Sequence, residues 1–181
     1  MLKPRRKRQI PDKSPSGKRS GSTPSVTLRC LQDGTGWEFV HPRCALERAE
    51  DLAEVRRMVD VGETEIARDE LRWLLDGCSD LIEAHKLLGE LALLEEDHAL
   101  ARGHFGYAYR IGEQTLRSAD VHGPLPYAAA PNQPFFEAAK GLAYCLLKLG
   151  KRDLAEEVAA KAILCDPSDP LGMRQLLAVE R

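Results

Sequence analysis

From Ala45 onward the apolar positions fall three and four residues apart, and that pattern itself recurs every 34 residues. Aligning 48–81, 82–115 and 136–169 sets Ala67, Ala101 and Ala155 at one place. Leu71, Phe105 and Ala159 fall at another, and Leu74, Ala108 and Ala162 at a third. Val55, Gly89 and Ala143 share an earlier place, where two helices must approach closely. The first two copies abut, and the third is displaced by the 20 residues 116–135. A fixed period with small residues at fixed places predicts stacked helix–turn–helix units, each burying its apolar face against the next.

The first helix of the first copy presents Ala45, Leu46, Leu52, Val55, Met58 and Val59 and ends near Gly62; the second turns Ile66, Leu71, Leu74 and Leu75 inward and stops at Gly77. In the second copy, Leu81, Ala84, Leu87, Leu88, Leu91 and Leu94 face inward, and a partner helix runs from His98 to Ile111, before Gly112. The stretch 116–135 holds Pro124, Pro126, Pro131 and Pro134, which bar a continuous helix. Phe135 and Phe136 lead into the third pair. Asp169-Pro170 then opens a last amphipathic helix through Leu171, Met173, Leu176, Leu177 and Val179, the kind of end cap an open stack needs. Ahead of the helices, Val26–Leu31 and Trp37–Val40 flank Asp33-Gly34-Thr35-Gly36 and predict a short β-hairpin, expected to rest on the first helix pair.

The third copy carries Leu142-Ala143, Leu146, Gly150, Ala155, Ala159, Ala162 and Pro167 at the places where tetratricopeptide (TPR) repeats keep their packing residues, and the chain resembles that family. The second copy departs from the family's pattern at the turn, where Glu96 stands for the usual Gly, and the first has Glu54 at a usual Leu place. The resemblance implies an all-α, TPR-like α-solenoid of about three helix pairs with a capping helix over 170–181, inside a helical domain spanning 45–181 and preceded by the hairpin segment 26–44. It implies too that the first helices of the pairs line a concave face. By register that face holds Ala49, Leu52 and Arg56, then Glu83, Lys86 and Glu90, then Glu137, Lys140, Gly141, Tyr144 and Lys148. Lys140, Tyr144 and Lys148 lie one turn apart on one stripe, where two ammonium groups flanking a phenol suit an acidic peptide. The chaperone-carboxylate clamp of some family members is excluded, because Glu90 follows Lys86 where that clamp needs Asn.

Charge changes the picture at one end. Residues 1–25 carry a net charge of +7 and the remainder −9, although the whole chain is only −2. With four prolines and five serines, 1–25 is expected to be a disordered basic tail. Its Arg5, Arg6, Lys7, Arg8, Lys18 and Arg19 could hold phosphates by charge or act as a nuclear import signal. No aromatic residue is interleaved to stack on bases. The basic start has no apolar segment behind it, so it does not read as a secretory signal, and no apolar run is long enough to span a bilayer.

The five cysteines show no paired spacing, which suggests free thiols in a reducing compartment. Cys30, His41 and Cys44 fall one ligand short of a structural zinc site, so no metal or other cofactor is assigned. No phosphate loop, metalloprotease helix or nucleophile elbow is present, and adjacent glutamates such as Glu95-Glu96 point in different directions on a helix. The expectation is a cytoplasmic, non-enzymatic scaffold that holds a peptide or partner helix in the concave groove, with residues 116–135 as a lid or second contact surface. A nucleic-acid-associated protein acting through the basic arm is the alternative, and exposed groove leucines leave self-association open.

Overall fold

The structure, a computed structural model, describes residues 26–121 and 123–179. The expectations for 1–25, Arg5 to Arg8, Lys18 and Arg19 included, therefore lie outside the described residues. In chain order come β1 (Thr27–Cys30), β2 (Trp37–Val40), α1 (Arg43–Glu47), α2 (Ala49–Asp60), α3 (Thr64–Gly77), α4 (Ile82–Leu94), α5 (His98–Ser118), a single 3-10 turn (Ala130–Asn132), α6 (Gln133–Lys148), α7 (Arg152–Cys165) and α8 (Met173–Val179). The described residues are mostly helical, with one two-stranded antiparallel sheet among them. Each helix from α2 to α8 packs on its neighbour in sequence, and α4 also touches α6.

The places that recur at 34 residues are core places. Ala67, Ala101 and Ala155 are completely buried, as are Leu71, Leu74, Ala108, Ala143, Ala159 and Val55, with Phe105 and Ala162 2% exposed. The turns recur too. Gly62, Glu96 and Gly150 occupy equivalent places and all have positive φ, at 85°, 58° and 69°. In each turn the next N–H reaches back to a carbonyl five residues earlier: Glu63 to Met58 (2.8 Å), Asp97 to Ala92 (3.0 Å) and Lys151 to Leu146 (2.8 Å). That is one Schellman turn written three times, once with a residue poorly suited to it.

Several apolar residues expected inside are not. Leu46, Ile66, Leu94 and Val179 are between 56% and 73% exposed. Each stands in the first or last turn of its helix, where the neighbouring helix no longer covers the face. The second pair also differs from its expected bounds, since α5 runs through Gly112 to Ser118. Gly112 is no stop signal. The Phe135 ring of α6 lies where a β-carbon of Gly112 would sit, so the glycine serves close packing instead.

The hairpin does not rest on the first helix pair. Its Phe39 ring meets Phe135 of α6 edge-on, at 5.3 Å between centroids, and the Thr115 hydroxyl on α5 donates to the Val26 carbonyl at 3.3 Å. The reason lies in 116–135. Beyond α5 this stretch passes along the free edge of β2, where Trp37 N–H donates to Pro124 O at 2.9 Å. The wholly buried Asn132 amide completes the edge: its Oδ1 accepts from Phe39 N–H at 2.9 Å, and its Nδ2 donates to Trp37 O at 3.0 Å and Pro126 O at 2.9 Å. An edge strand left unpaired would have exposed these groups. The same stretch is laced to the end of α7, with Leu125 N–H on Cys165 O (2.8 Å) and Tyr127 N–H on Asp166 Oδ2 (2.9 Å).

The cysteines are not all free. Cys44 of α1 and Cys78, just past α3, form a disulfide with their Cα atoms 5.8 Å apart. Sequence spacing could not pair them, because α2 and α3 fold back on each other and bring residues 34 positions apart together. Cys30, Cys145 and Cys165 remain thiols. Burial pushes the Cys145 and Cys165 thiols up to about 11. His41, near Cys30 and Cys44 in sequence, bonds the Pro131 carbonyl through Nε2 at 2.8 Å. At the far end α8 begins at Met173 rather than at Pro170, which lies in the turn before it, and the Asp169 carboxylate accepts from the Met173 N–H (2.7 Å) and Arg174 N–H (3.0 Å) across that turn.

Candidate functional site

The face of α2 and α4 opposite their partners α3 and α5 forms one wall of a groove. The second wall comes from elsewhere in the chain: His41, α1 and the 130–134 segment, the last tied to β2 by Asn132. An apolar recess of ≈ 210 Å³ lies between them, lined by Ala45, Leu46, Ala49, Leu52, Leu81, Ala130, Pro131 and Pro134, with His41, Arg56 and Glu83 also at its rim. A second recess of ≈ 430 Å³ continues from it, sharing Arg56, Glu83, Ala130 and Pro134 and adding Lys86, Gln133 and Glu137. The groove is thus apolar at one end and charged at the other.

The charged end is a network spanning three helices. Arg56 of α2 meets Glu83 of α4 at 2.9 Å. Lys86, only 7% exposed, lies 3.3 Å from Glu83, 3.2 Å from Glu90 and 3.3 Å from Glu137 of α6. Tyr127 donates its hydroxyl to Glu137 at 3.0 Å. Burial by itself would lower the pKa of the Lys86 ammonium, but the three carboxylates outweigh it and the net shift is upward. Lys86 stays charged, and its three N–H donors have three carboxylate neighbours. Glu90 shifts upward, first through burial and then through the nearby Glu137 and Glu83, with Lys86 opposing. The site therefore holds two cations against three carboxylates.

Of the expected groove residues, Arg56, Lys86 and Glu90 come together in this network, joined by Glu83 and Glu137 from the same register. Lys86 is engaged within the protein rather than presented to a ligand. Tyr144 and Lys148 pair with each other, the ammonium 5.3 Å from the ring centroid, and the Tyr144 ring lies 5.9 Å from that of His98. Lys140 stands exposed on α6. Gly141 faces away from any ligand, against the Phe105 ring. Sequence register missed the wall made by His41, Ala45, Leu46, Ala130, Pro131 and Pro134. The proline density of 124–134 was the one signal of it, since a stretch barred from helix must lie across something.

A separate polar recess of ≈ 470 Å³ opens between Asp80 and the outer side of α5, lined by Tyr107, Arg110, Ile111, Gln114, Arg117 and Ser118. Arg110 stacks over the Tyr107 ring at 4.5 Å and Arg117 bonds Glu113 at 3.0 Å. Among the described residues no group of His, Cys, Asp and Glu could hold a metal ion, and no helix is long and apolar enough to cross a membrane. Compared with known proteins, the chain matches no family model, no curated protein and no solved structure.

Proposed function

We propose that this protein is a non-enzymatic scaffold of the tetratricopeptide type, which takes a peptide or a partner helix in the groove between α2, α4 and the 130–134 wall. The observation that carries the reading is the continuity of the apolar and charged recesses through Arg56, Glu83, Ala130 and Pro134. A cleft with an apolar floor and a few convergent polar groups is the usual form of a recognition site. The triple Schellman turn and the burial of every recurring small position support the solenoid reading. Within this reading the 130–134 segment is a fixed wall rather than a moving lid, because Asn132 ties it to β2.

The test compares partners captured from native lysate by the full chain and by a Leu46→Asp, Ala49→Asp variant. Both side chains line the groove and are exposed, so the fold should survive, with circular dichroism as the control. Partners lost by the variant identify the groove as the working surface. Identical capture by both sinks the reading.

One observation favours the second reading, a nucleic-acid-associated protein. Val26, where the described chain begins, accepts a hydrogen bond from the Thr115 hydroxyl of α5, the helix whose Arg110 and Arg117 line the polar recess. Binding of a single-stranded oligonucleotide that falls steeply with salt and weakens on Arg110→Ala, Arg117→Ala substitution would favour it. A cytoplasmic placement fits the Cys44–Cys78 bridge if that bridge is reversible, since persistent disulfides are rare in reducing compartments.

A further inference from the structure

We infer that the Cys44–Cys78 disulfide is a redox gate on the groove: oxidised, it holds α1 in place as part of the wall, and reduced, it releases that wall. The inference rests on the groove reading above and adds its regulation. Four residues lining the apolar recess, His41, Ala45, Leu46 and Ala49, come from the segment that contains or borders α1. That helix has five residues and no side-chain cap at its N-terminus, far below the length at which a helix sustains itself in water. What fixes it is tertiary. Ala45 is buried in the α1–α4 core, and the disulfide joins its second residue to the end of α3. Arg48, between α1 and α2, adds a weaker clasp by stacking over Trp73 at 4.7 Å. Leu46, by contrast, is 67% exposed and contributes to the wall without being held by the core.

The chemistry needs a dithiol reductant. Its thiolate attacks the sulfur of Cys44, the less buried of the pair, and forms a mixed disulfide while Cys78 leaves as a thiolate and takes up a proton. The reductant's second thiol then attacks its own sulfur in the mixed disulfide and releases Cys44 as a thiol. Two electrons and two protons pass to the protein, and the reductant ends as its disulfide. Cys145 and Cys165 do not compete for this exchange, because burial raises both thiols to about 11 and keeps them protonated.

The experiment is hydrogen exchange of the full chain, without any partner, in an oxidising glutathione buffer and in dithiothreitol. Alkylation under denaturing conditions counts the free thiols in each sample. The expected result is two additional alkylated cysteines on reduction and at least tenfold faster exchange over 44–48, with α4–α7 unchanged. A Cys44→Ser, Cys78→Ser double variant should exchange at the fast rate in both buffers, and Cys30→Ser should still switch. Equal exchange of 44–48 in both buffers overturns the gate, as does Cys44 and Cys78 both being alkylated in the oxidised sample. Faster exchange throughout α4–α7 also overturns it, since the bridge is then a staple for the whole fold. Because no partner is present, failure here leaves the groove reading standing. Loss of that reading in the capture experiment would likewise leave the switch intact but without a ligand to control.

Discussion

The Phe105 ring of α5 lies where Gly141 of α6 would carry its β-carbon: an atom built there would be 2.6 Å from the ring's Cζ. Gly89 of α4 meets the same ring from the other side, at 2.7 Å from Cε1 by the same construction. Phe105 is therefore the wedge that three helices close upon, and two glycines are the condition for their approach. Gly141→Ala should destabilise the protein by about 1–3 kcal/mol through overpacking, more than offsetting the helix-propensity gain of up to about 1 kcal/mol. Gly103→Ala, which would meet nothing within 4 Å in the same α5 helix, should stabilise by up to that propensity gain. Urea denaturation of both variants checks the pair, and two shifts of the same sign would refute the wedge.

Glu96 holds a left-handed backbone at the turn place where the other two units have Gly62 and Gly150. A left-handed conformation costs a side-chain-bearing residue about 1–2 kcal/mol, part of which glycine returns as unfolded-chain entropy. Glu96→Gly should therefore raise stability by roughly 0.5–1 kcal/mol, visible as a higher urea midpoint with an unchanged slope.

Asn132 closes the edge of β2 with three hydrogen bonds while wholly buried. Asn132→Ala strands the Phe39 N–H and the Trp37 carbonyl and opens a small cavity. The loss should reach about 2–4 kcal/mol, with the Phe39 amide exchanging fastest. Because the same residue fixes the 130–134 wall, partner capture should fall with it. A variant that kept both the Phe39 protection and full stability would show that the clamp is dispensable.

Two glutamates should titrate in opposite senses. Burial would raise Glu113 of α5, but Lys161 of α7, 2.6 Å away, and Arg117 outweigh it and hold the carboxyl below its ordinary 4.5. The unfolded chain then binds the proton first, so the stabilisation from Glu113 is present above pH 4.5 and is lost as pH falls through the folded value. Glu90 is raised above 4.5, so its folded form binds the proton first, and its contribution weakens as pH rises from 4.5 through the folded value. Carboxyl-carbon NMR titration should find the two on opposite sides of 4.5, with Lys161→Met moving Glu113 upward. Finding both on the same side would contradict these environments.

The residues that recur at 34 positions were legible in sequence because each helix pair meets the same local demands. Ala67, Ala101 and Ala155 must be small wherever two helices cross, and a turn of fixed length must carry a positive φ, even at Glu96. The register taken from the family resemblance likewise put Arg56, Lys86, Glu90, Glu83 and Glu137 on one face, while helical spacing itself decides only which side chains of a single helix share a side. What register could not supply was the other half of the groove. The seat of the hairpin, the Asn132 clamp, the wall at Ala130 and Pro131 and the Cys44–Cys78 bridge all join residues distant along the chain. Their partners are chosen by which surfaces meet once the helices have packed, not by any periodicity. Helix spacing is a property of neighbours in sequence, and the site is a property of neighbours in space.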